Sequence, residues 1–406
     1  MEEFMATTTD RRGFLKGAAI VGGTAAVAGI AACSPDSPRT EGSAAPGGGS
    51  GSVEPGALDW LGNPPEIDEA QIERVVETEI LVVGAAAAGS FAAYGAIKVG
   101  AKVTVIDKNK TFHYGGAGTS FVNSKFQEAA GMPTYDPTKV LYELVNNTQC
   151  RADPSLLALW AFRSGQICDD VIQDILEPYG VEVTAMSQKH ESKQQISGFK
   201  STEVKFGDPN ADNFRPVLSA VHQYVEDQGG EFVYNMRALV LTQDDSGRVT
   251  GVIAQDSGGT FVRYSATKGV IMCTGSYGGD QNMVKTFMSP KVQPMLESGL
   301  MYTGFMESDE VPDGTWDTGD GHKMMCWLGA SMEDATHSYN GWTMTGIVSA
   351  PYLNVAQASG RRFQNEAVSF LNQLQAIVET PHEDGYYYWQ ILSNEPEQMP
   401  FLLDIP

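Results

Sequence analysis

The chain has 406 residues and a formal net charge of −23. That length suits about two to three domains and supports a core without disulfide staples. Acidic residues outnumber basic ones by 50 to 27, a balance that repels nucleic acid and anionic lipid headgroups. Five cysteines without a C-x-x-C pair and six scattered histidines without an H-x-x-x-H pair argue against zinc, iron–sulfur or covalent haem sites.

The N-terminus reads as an address. Thr9-Asp10-Arg11-Arg12-Gly13-Phe14-Leu15-Lys16 matches the twin-arginine export pattern, and an Ala-, Gly- and Val-rich stretch follows to Ala32. It is too short and too weakly apolar for a good membrane span. It ends in Ile30-Ala31-Ala32-Cys33, small residues before a cysteine that would carry the lipid of an exported lipoprotein. An unlipidated cut or an uncleaved anchor are the alternatives. Residues 1–33 are therefore read as signal. Residues 34–57, rich in Ser, Pro and Gly, are read as a flexible tether. Proteins that fold around a cofactor before export use this route, so a tightly bound cofactor is expected. The expected location is extracytoplasmic and membrane-anchored.

Thr78–Val83 is a continuous apolar, β-branched run suited to a strand buried on both faces. Gly84-Ala85-Ala86-Ala87-Ala88-Gly89 follows, then an Ala-rich helix to Val99, then a second buried strand, Lys102–Ile106, ending at Asp107. This is the order of the dinucleotide fingerprint. Gly84 makes the tight turn, Gly89 lets helix and strand pack closely, and Ala86 stands where a glycine is usual. The helix N-terminus, at Ala86 and Ala88, faces a pyrophosphate, and Asp107 lies where a carboxylate accepts ribose hydroxyls. FAD and NAD share this fingerprint. Lys108 precedes a lean loop, Gly115-Gly116-Ala117-Gly118-Thr119-Ser120, whose backbone can approach a flat ligand.

Helices are predicted at about 137–149, 155–178 and 213–228 from their periodicity. A strand at Phe232–Tyr234 follows. A three-stranded meander then runs over 238–242, 249–255 and 260–265, with turns at Asp244–Gly247 and Asp256–Gly259. Gly269–Gly275 reads as a separate buried return strand. The fold class expected is α/β, with a parallel sheet and β-meander in the layout of the two-dinucleotide-fold flavoproteins.

Four segments in order resemble one family: Val82-Val83-Gly84 with Gly89; Cys273-Thr274-Gly275-Ser276-Tyr277-Gly278-Gly279; Thr318-Gly319-Asp320-Gly321-His322 with Gly329-Ala330; and Asn354 with Gly360-Arg361-Arg362-Phe363-Gln364-Asn365-Glu366. The chain resembles the fumarate reductase, flavocytochrome c and 3-ketosteroid dehydrogenase superfamily of FAD proteins from about residue 57 onward. The signal and Asp59-Trp60-Leu61-Gly62 resemble its exported branch. The resemblance implies a Rossmann-like FAD domain over 58–336, a partial α+β cap over 337–406, and FAD as cofactor. It implies that Gly84, Ala86, Gly89 and Asp107 hold the ADP half, that the backbone at Leu239 and Val240 meets the adenine, and that Thr274 and Gly275 lie near the pyrophosphate. It also places Asp320 near the flavin; spacing alone fits a turn-forming aspartate equally well.

The family's fumarate reductases carry a proton-donating arginine four residues after the Glu of the last motif. Phe370 stands there. Fumarate itself is thus a poor expectation, and a less anionic acceptor a better one. Arg361, Arg362, Tyr387 and His337 remain as candidate catalytic groups, His337 by resemblance to a substrate-carboxylate histidine. The family's last FAD-binding segment is not visible before Pro406, so a fragment or truncated form is expected. The implied activity is reduction of an activated C=C bond in a small organic acceptor. Electrons would come from an external donor such as a separate cytochrome or quinol-linked protein. A 3-ketosteroid-type dehydrogenase, and a non-catalytic flavin-binding lipoprotein or inactive fragment, are the alternatives.

Overall fold

The computed structural model describes residues 59–112, 119–148, 150, 152–186, 203–206, 214–288, 290, 317–333, 335, 337, 352–356, 360–362 and 388–392. A six-stranded sheet organises them, in the order β6-β2-β1-β9-β8-β7. β1 (Ile72–Val83) runs parallel to β2 (Val103–Ile106) on one side and to β9 (Phe261–Met272) on the other. β6 (Glu231–Val233) adds a parallel edge to β2. On the far side β8 (Val249–Asp256) and β7 (Met236–Gln243) close an antiparallel meander against β9. The chain is thus α/β, with a parallel half and a meander in one sheet.

Both faces of this sheet are covered, which is why its central strands are apolar throughout rather than alternating. On one face α1 (Ala87–Lys98), the C-terminal part of α4 (Pro154–Val171) and α5 (Arg215–Asp227) enclose Val82, Val103, Val105, Ala93, Leu218, Val221 and Ile175. On the other face Leu81, Val83 and Ile106 pack with the meander residues Val252, Val262 and Tyr264 and with Met324 of α7 (Asp320–Trp327). Each fully buried Val or Leu side chain contributes roughly 1.5–3 kcal/mol. Small residues at Ala93 and Ala96 let α1 lie close to the strands beneath it.

The predicted helices are present: α3 (Pro137–Asn147), α4 and α5. Asp136 and Asp153 cap α3 and α4 through bonds to Thr138 N and Ser155 N, each with proline in the first turn. α4 continues as a π-helical segment, Ile172–Leu176. The expected separation of the third meander strand from the return strand is corrected. β9 is one strand of 12 residues, pairing with β8 at its start and with β1 from Phe261 to Met272 across an irregularity at Thr267 and Lys268. Parallel pairing extends β1 back to Ile72, well before Thr78.

β3 (Thr119–Ser120), β5 (Glu203–Phe206) and β4 (Val183–Met186) form a three-stranded antiparallel sheet. β10 (Tyr352–Ala356) pairs antiparallel with β11 (Tyr388–Leu392). α2 (Lys125–Ala129) and α6 (Gln281–Phe287) are short. Trp60 sits edge-on to Phe287, and the Trp327 indole N–H donates to the carbonyls of Leu61 and Gly62, so the 59–62 segment is pinned to α6 and α7. Among the described residues no helix is long and apolar enough to cross a membrane.

Candidate functional site

Four parallel strands end on one rim, at Val233, Ile106, Val83 and Met272. β1 is the middle of this set: the chain crosses from it to β2 on one side and returns to β9 on the other. The crevice outside the carboxyl ends at such a switch point is where open α/β sheets bind ligands.

Two backbone hydrogen bonds anchor the start of the loop after β1. Gly84 N donates to the Ile106 carbonyl at 2.8 Å, and Cys273 N donates to the Val83 carbonyl at 2.7 Å. Gly84 has φ +104°, and a Cβ there would lie 2.1 Å from the Cys273 carbonyl oxygen, so neither the conformation nor the space admits a side chain. At Gly89 a Cβ would lie 1.8 Å from the Gly84 carbonyl oxygen. α1 starts on Ala86, which makes no side-chain capping bond. Ala88 points outward and is exposed, while Gly89 is buried.

Asp107 does more than the sequence suggests. Its Oδ2 accepts the Ala85 N–H at 2.7 Å and its Oδ1 accepts the Asn109 N–H at 2.8 Å. The carboxylate braces the loop while each oxygen keeps a lone pair for a further donor. The Asp107 carbonyl accepts the Met236 N–H at 2.8 Å, which starts β7 beside the rim. The β7–β8 register then skips from Ala238 to Val240. That bulge takes Leu239 out of the ladder at the position where the adenine was expected.

Asp320 is the first residue of α7, not a turn residue. It lies 3.1 Å from Arg237 and 3.7 Å from Lys108, whose ammonium also donates to the Thr318 hydroxyl at 3.2 Å. α7 approaches the end of β9 so closely that a Cβ on Gly321 would lie 1.8 Å from Thr274 Oγ1. Asp317 Oδ1 accepts the Ser276 N–H, and Gly319 N donates to the Ser276 carbonyl. The structure therefore brings Gly84, Ala86, Gly89, Asp107, Lys108, Thr274, Gly275 and Asp320 to one rim. Gly116, Ala117 and Gly118 lie outside the described residues, as do Cys33, Phe370 and Tyr387; Thr119 starts β3.

A second group sits beyond Gly275. The Tyr277 hydroxyl lies 2.6 Å from His337 Nδ1, and His337 Nε2 lies 2.8 Å from the Glu333 carbonyl. A carbonyl only accepts, so Nε2 carries the proton and Tyr277 donates to Nδ1. Burial pushes the Tyr277 hydroxyl up to about 12, which keeps it protonated. The His337 ring stacks on Phe287, and its backbone N–H donates to the Phe287 carbonyl. Both ring nitrogens of His337 are thus occupied, so it can take a substrate carboxylate only by releasing one of them. The Tyr277 role was invisible in the sequence because its partner is 60 residues away. His322 on α7 meets the Tyr277 ring edge at 5.5 Å. Its buried Nδ1 has no hydrogen-bond partner among the described residues, and burial lowers its pKa. Arg361 and Arg362 are exposed and flank β10, with Arg362 bridging Val355. Among the described residues no cluster of His, Cys, Asp and Glu could hold a metal ion.

The fit to an ADP-bearing cofactor rests on three features. The loop from Gly84 to Gly89 carries nothing larger than a methyl. The α1 N-cap, Ala86, supplies no side-chain cap, so the helix dipole favours an anionic acceptor there. The β7 bulge takes one peptide out of the ladder beside the same rim.

Comparison with known proteins agrees. The family described as FAD binding domain matches residues 79–393. Digoxin reductase of Eggerthella lenta is 26% identical over 340 residues, covering 79% of this chain and 55% of that protein. A protein of Shewanella frigidimarina named probable fumarate reductase is 24% identical over 341 residues, covering 78% and 51%. The chain thus spans about half the length of these curated relatives. Among solved structures, a 3-ketosteroid-Δ4-(5α)-dehydrogenase of Rhodococcus jostii in complex with 4-androstene-3,17-dione superposes with a TM-score of 0.57 at 17% identity, covering 79% of this chain and 68% of that one.

Proposed function

The chain belongs to the FAD-binding domain family, and from that premise we propose that it is the flavin-carrying part of an exported oxidoreductase that reduces an activated C=C bond in a small organic acceptor. The observation that carries this reading is the rim itself. A loop with nothing larger than a methyl, a helix start without a side-chain cap and a carboxylate bracing the loop converge where four strands end. Gly84, Ala86, Ala88, Gly89, Asp107, Lys108, Gly116, Ala117, Gly118, Thr119, Val240, Thr274, Gly275 and Asp320 are the residues that would hold FAD. FAD, when bound there, would supply hydride-transfer chemistry.

The remaining work falls to the chain. Tyr277, protonated and donating to His337 Nδ1, fixes the imidazole beyond Gly275. Arg361, Arg362, Tyr387 and His337 are the candidates for orienting the acceptor and protonating its second carbon. Phe370, standing where the fumarate reductases carry arginine, supports an acceptor less anionic than fumarate. Two curated relatives carry reductase names, which supports reduction over dehydrogenation. Electrons would arrive from a separate cytochrome or quinol-linked protein. Export by the twin-arginine route and a lipid on Cys33 would place the protein outside the cytoplasm on a membrane.

The test is reoxidation of the dithionite-reduced protein under anaerobic conditions by paired acceptors, a neutral enone and fumarate. The reading expects reoxidation by the enone at least tenfold faster. Reoxidation by neither, with a saturated steroid ketone reducing the oxidised protein instead, would replace reduction by dehydrogenation. A Cys33→Ser variant that stays in the membrane fraction would remove the lipid anchor from the account.

A further inference from the structure

The glycine loop is gripped from beneath by a buried side-chain relay that the cofactor reading does not use. Ser90, in the first turn of α1, is fully buried. Its Oγ lies 2.9 Å from the Ala86 carbonyl and 3.0 Å from the Ala85 carbonyl. The same oxygen lies 2.7 Å from His222 Nε2 on α5, and His222 Nδ1 lies 3.0 Å from the Tyr234 hydroxyl. The imidazole is 7% exposed, stacked on Phe232 at 3.8 Å and met edge-on by Phe112 at 4.5 Å.

Proton counting gives this chain one direction. A serine hydroxyl has a single proton, and backbone carbonyls only accept. With two carbonyls within 3.0 Å, the Ser90 proton belongs to the loop, and Ser90 Oγ must accept from His222 Nε2–H. The neutral ring then presents Nδ1 as acceptor to the Tyr234 hydroxyl. The opposite polarity would point Ser90 lone pairs at carbonyl lone pairs in a dry interior.

The consequence for the loop follows from the planar trans peptide. Each C=O is antiparallel to the next N–H. Drawing the Ala85 and Ala86 carbonyls inward aims the N–H groups of Ala86 and Ala87 outward, toward the crevice at the strand ends. Asp107 meanwhile holds the Ala85 N–H from the other side. We propose that His222 is a positioning residue for the dinucleotide loop: by donating to Ser90 it fixes the serine proton on the loop carbonyls and so presents two backbone N–H groups to the cofactor diphosphate. The proposal rests on membership of the FAD-binding family and not on the identity of the acceptor.

Two isosteres separate positioning from packing. His222→Gln keeps a donor where Nε2 stands and loses the Tyr234 acceptor. His222→Asn keeps an acceptor near Nδ1 and loses the donor to Ser90. Flavin release from the full-length holoprotein is read from the recovery of free-flavin fluorescence on dilution. Ser90→Ala and His222→Asn should release flavin about tenfold faster, the loss expected for one net hydrogen bond. His222→Gln should stay within about threefold of the parent. Amide hydrogen exchange of the Gly84–Ser90 peptide should follow the same ranking. If His222→Gln and His222→Asn behave alike, or Ser90→Ala matches the parent in both readings, the proposal is overturned. A protein purified without flavin would count against the cofactor reading; the exchange ranking on that same protein still decides the role of His222.

Discussion

Gly89→Ala adds one methyl to the first turn of α1. The added carbon would lie 1.8 Å from the Gly84 carbonyl oxygen and 3.3 Å from Val82 Cγ1. An ordinary close C···O contact is about 3.3 Å, so helix and loop must part by roughly 1.5 Å. Ala93 and Ala96 then lose their close packing, and overpacking of this kind costs about 1–3 kcal/mol. For a domain of this size that lowers Tm by about 2–10 °C. The first-turn N–H groups move with the helix, away from the position in which they would hold a cofactor diphosphate. Two such bonds to a charged acceptor, at ~1.5–3 kcal/mol each, make flavin release at least about a hundredfold faster. Gly95 is the internal control. It lies six positions on in the same helix, exposed, and a Cβ there would have no neighbouring atom within 4 Å. Gly95→Ala should raise stability by about 0.5–1 kcal/mol and leave flavin release unchanged. Differential scanning fluorimetry and the fluorescence of released flavin read both effects. A Gly89→Ala protein that melts and holds flavin like the parent would refute the packing argument.

Two further outcomes follow from buried polar groups. Burial lowers the His222 pKa from 6.5 to about 4, so the folded ring stays neutral where the unfolded ring is protonated. Its contribution is complete above about pH 6.5 and is lost as pH falls toward about 4, by up to ~3 kcal/mol. His222→Gln should therefore flatten the fall in Tm across that window; an unchanged slope would contradict the assignment. Tyr277→Phe leaves His337 Nδ1 without its donor. Losing one part-buried hydrogen bond should cost about 1–2 kcal/mol, seen as a Tm lower by a few degrees, and an unchanged Tm would contradict the geometry.

The β1–loop–α1–β2 unit was legible because its signals are local: a buried apolar run, two glycines in register and an acid at the next strand end. Helices α3, α4 and α5 were legible for the same reason, their periodicity being self-contained. The fusion of two expected strands into β9 was not. The sequence reads as one strand ending at residue 265 and another starting at Gly269; the parallel neighbour β1, supplied from about 190 residues earlier, pairs with Ala266 and Gly269 on either side of that gap and joins them. α7 escaped notice because Gly-Asp-Gly reads as a turn; the helix forms there because Gly321 lets it seat on Thr274. The Ser90–His222 pair, 132 residues apart, carries no local signature, since it exists only once α1 and α5 pack on the same face. Asp107 was found by position, yet its bond to Ala85 N is a property of the folded loop. Tyr387 and Phe370 belong to residues outside those described.

The central claim is that this chain holds FAD at the rim where β6, β2, β1 and β9 end. The most direct measurement is the visible absorbance of the purified full-length protein, compared with Gly89→Ala prepared identically. The account expects flavin bands in the parent that bleach with dithionite, and their loss in the variant. A colourless parent that takes up no added FAD, or a variant that keeps the parent's full flavin content, would contradict it.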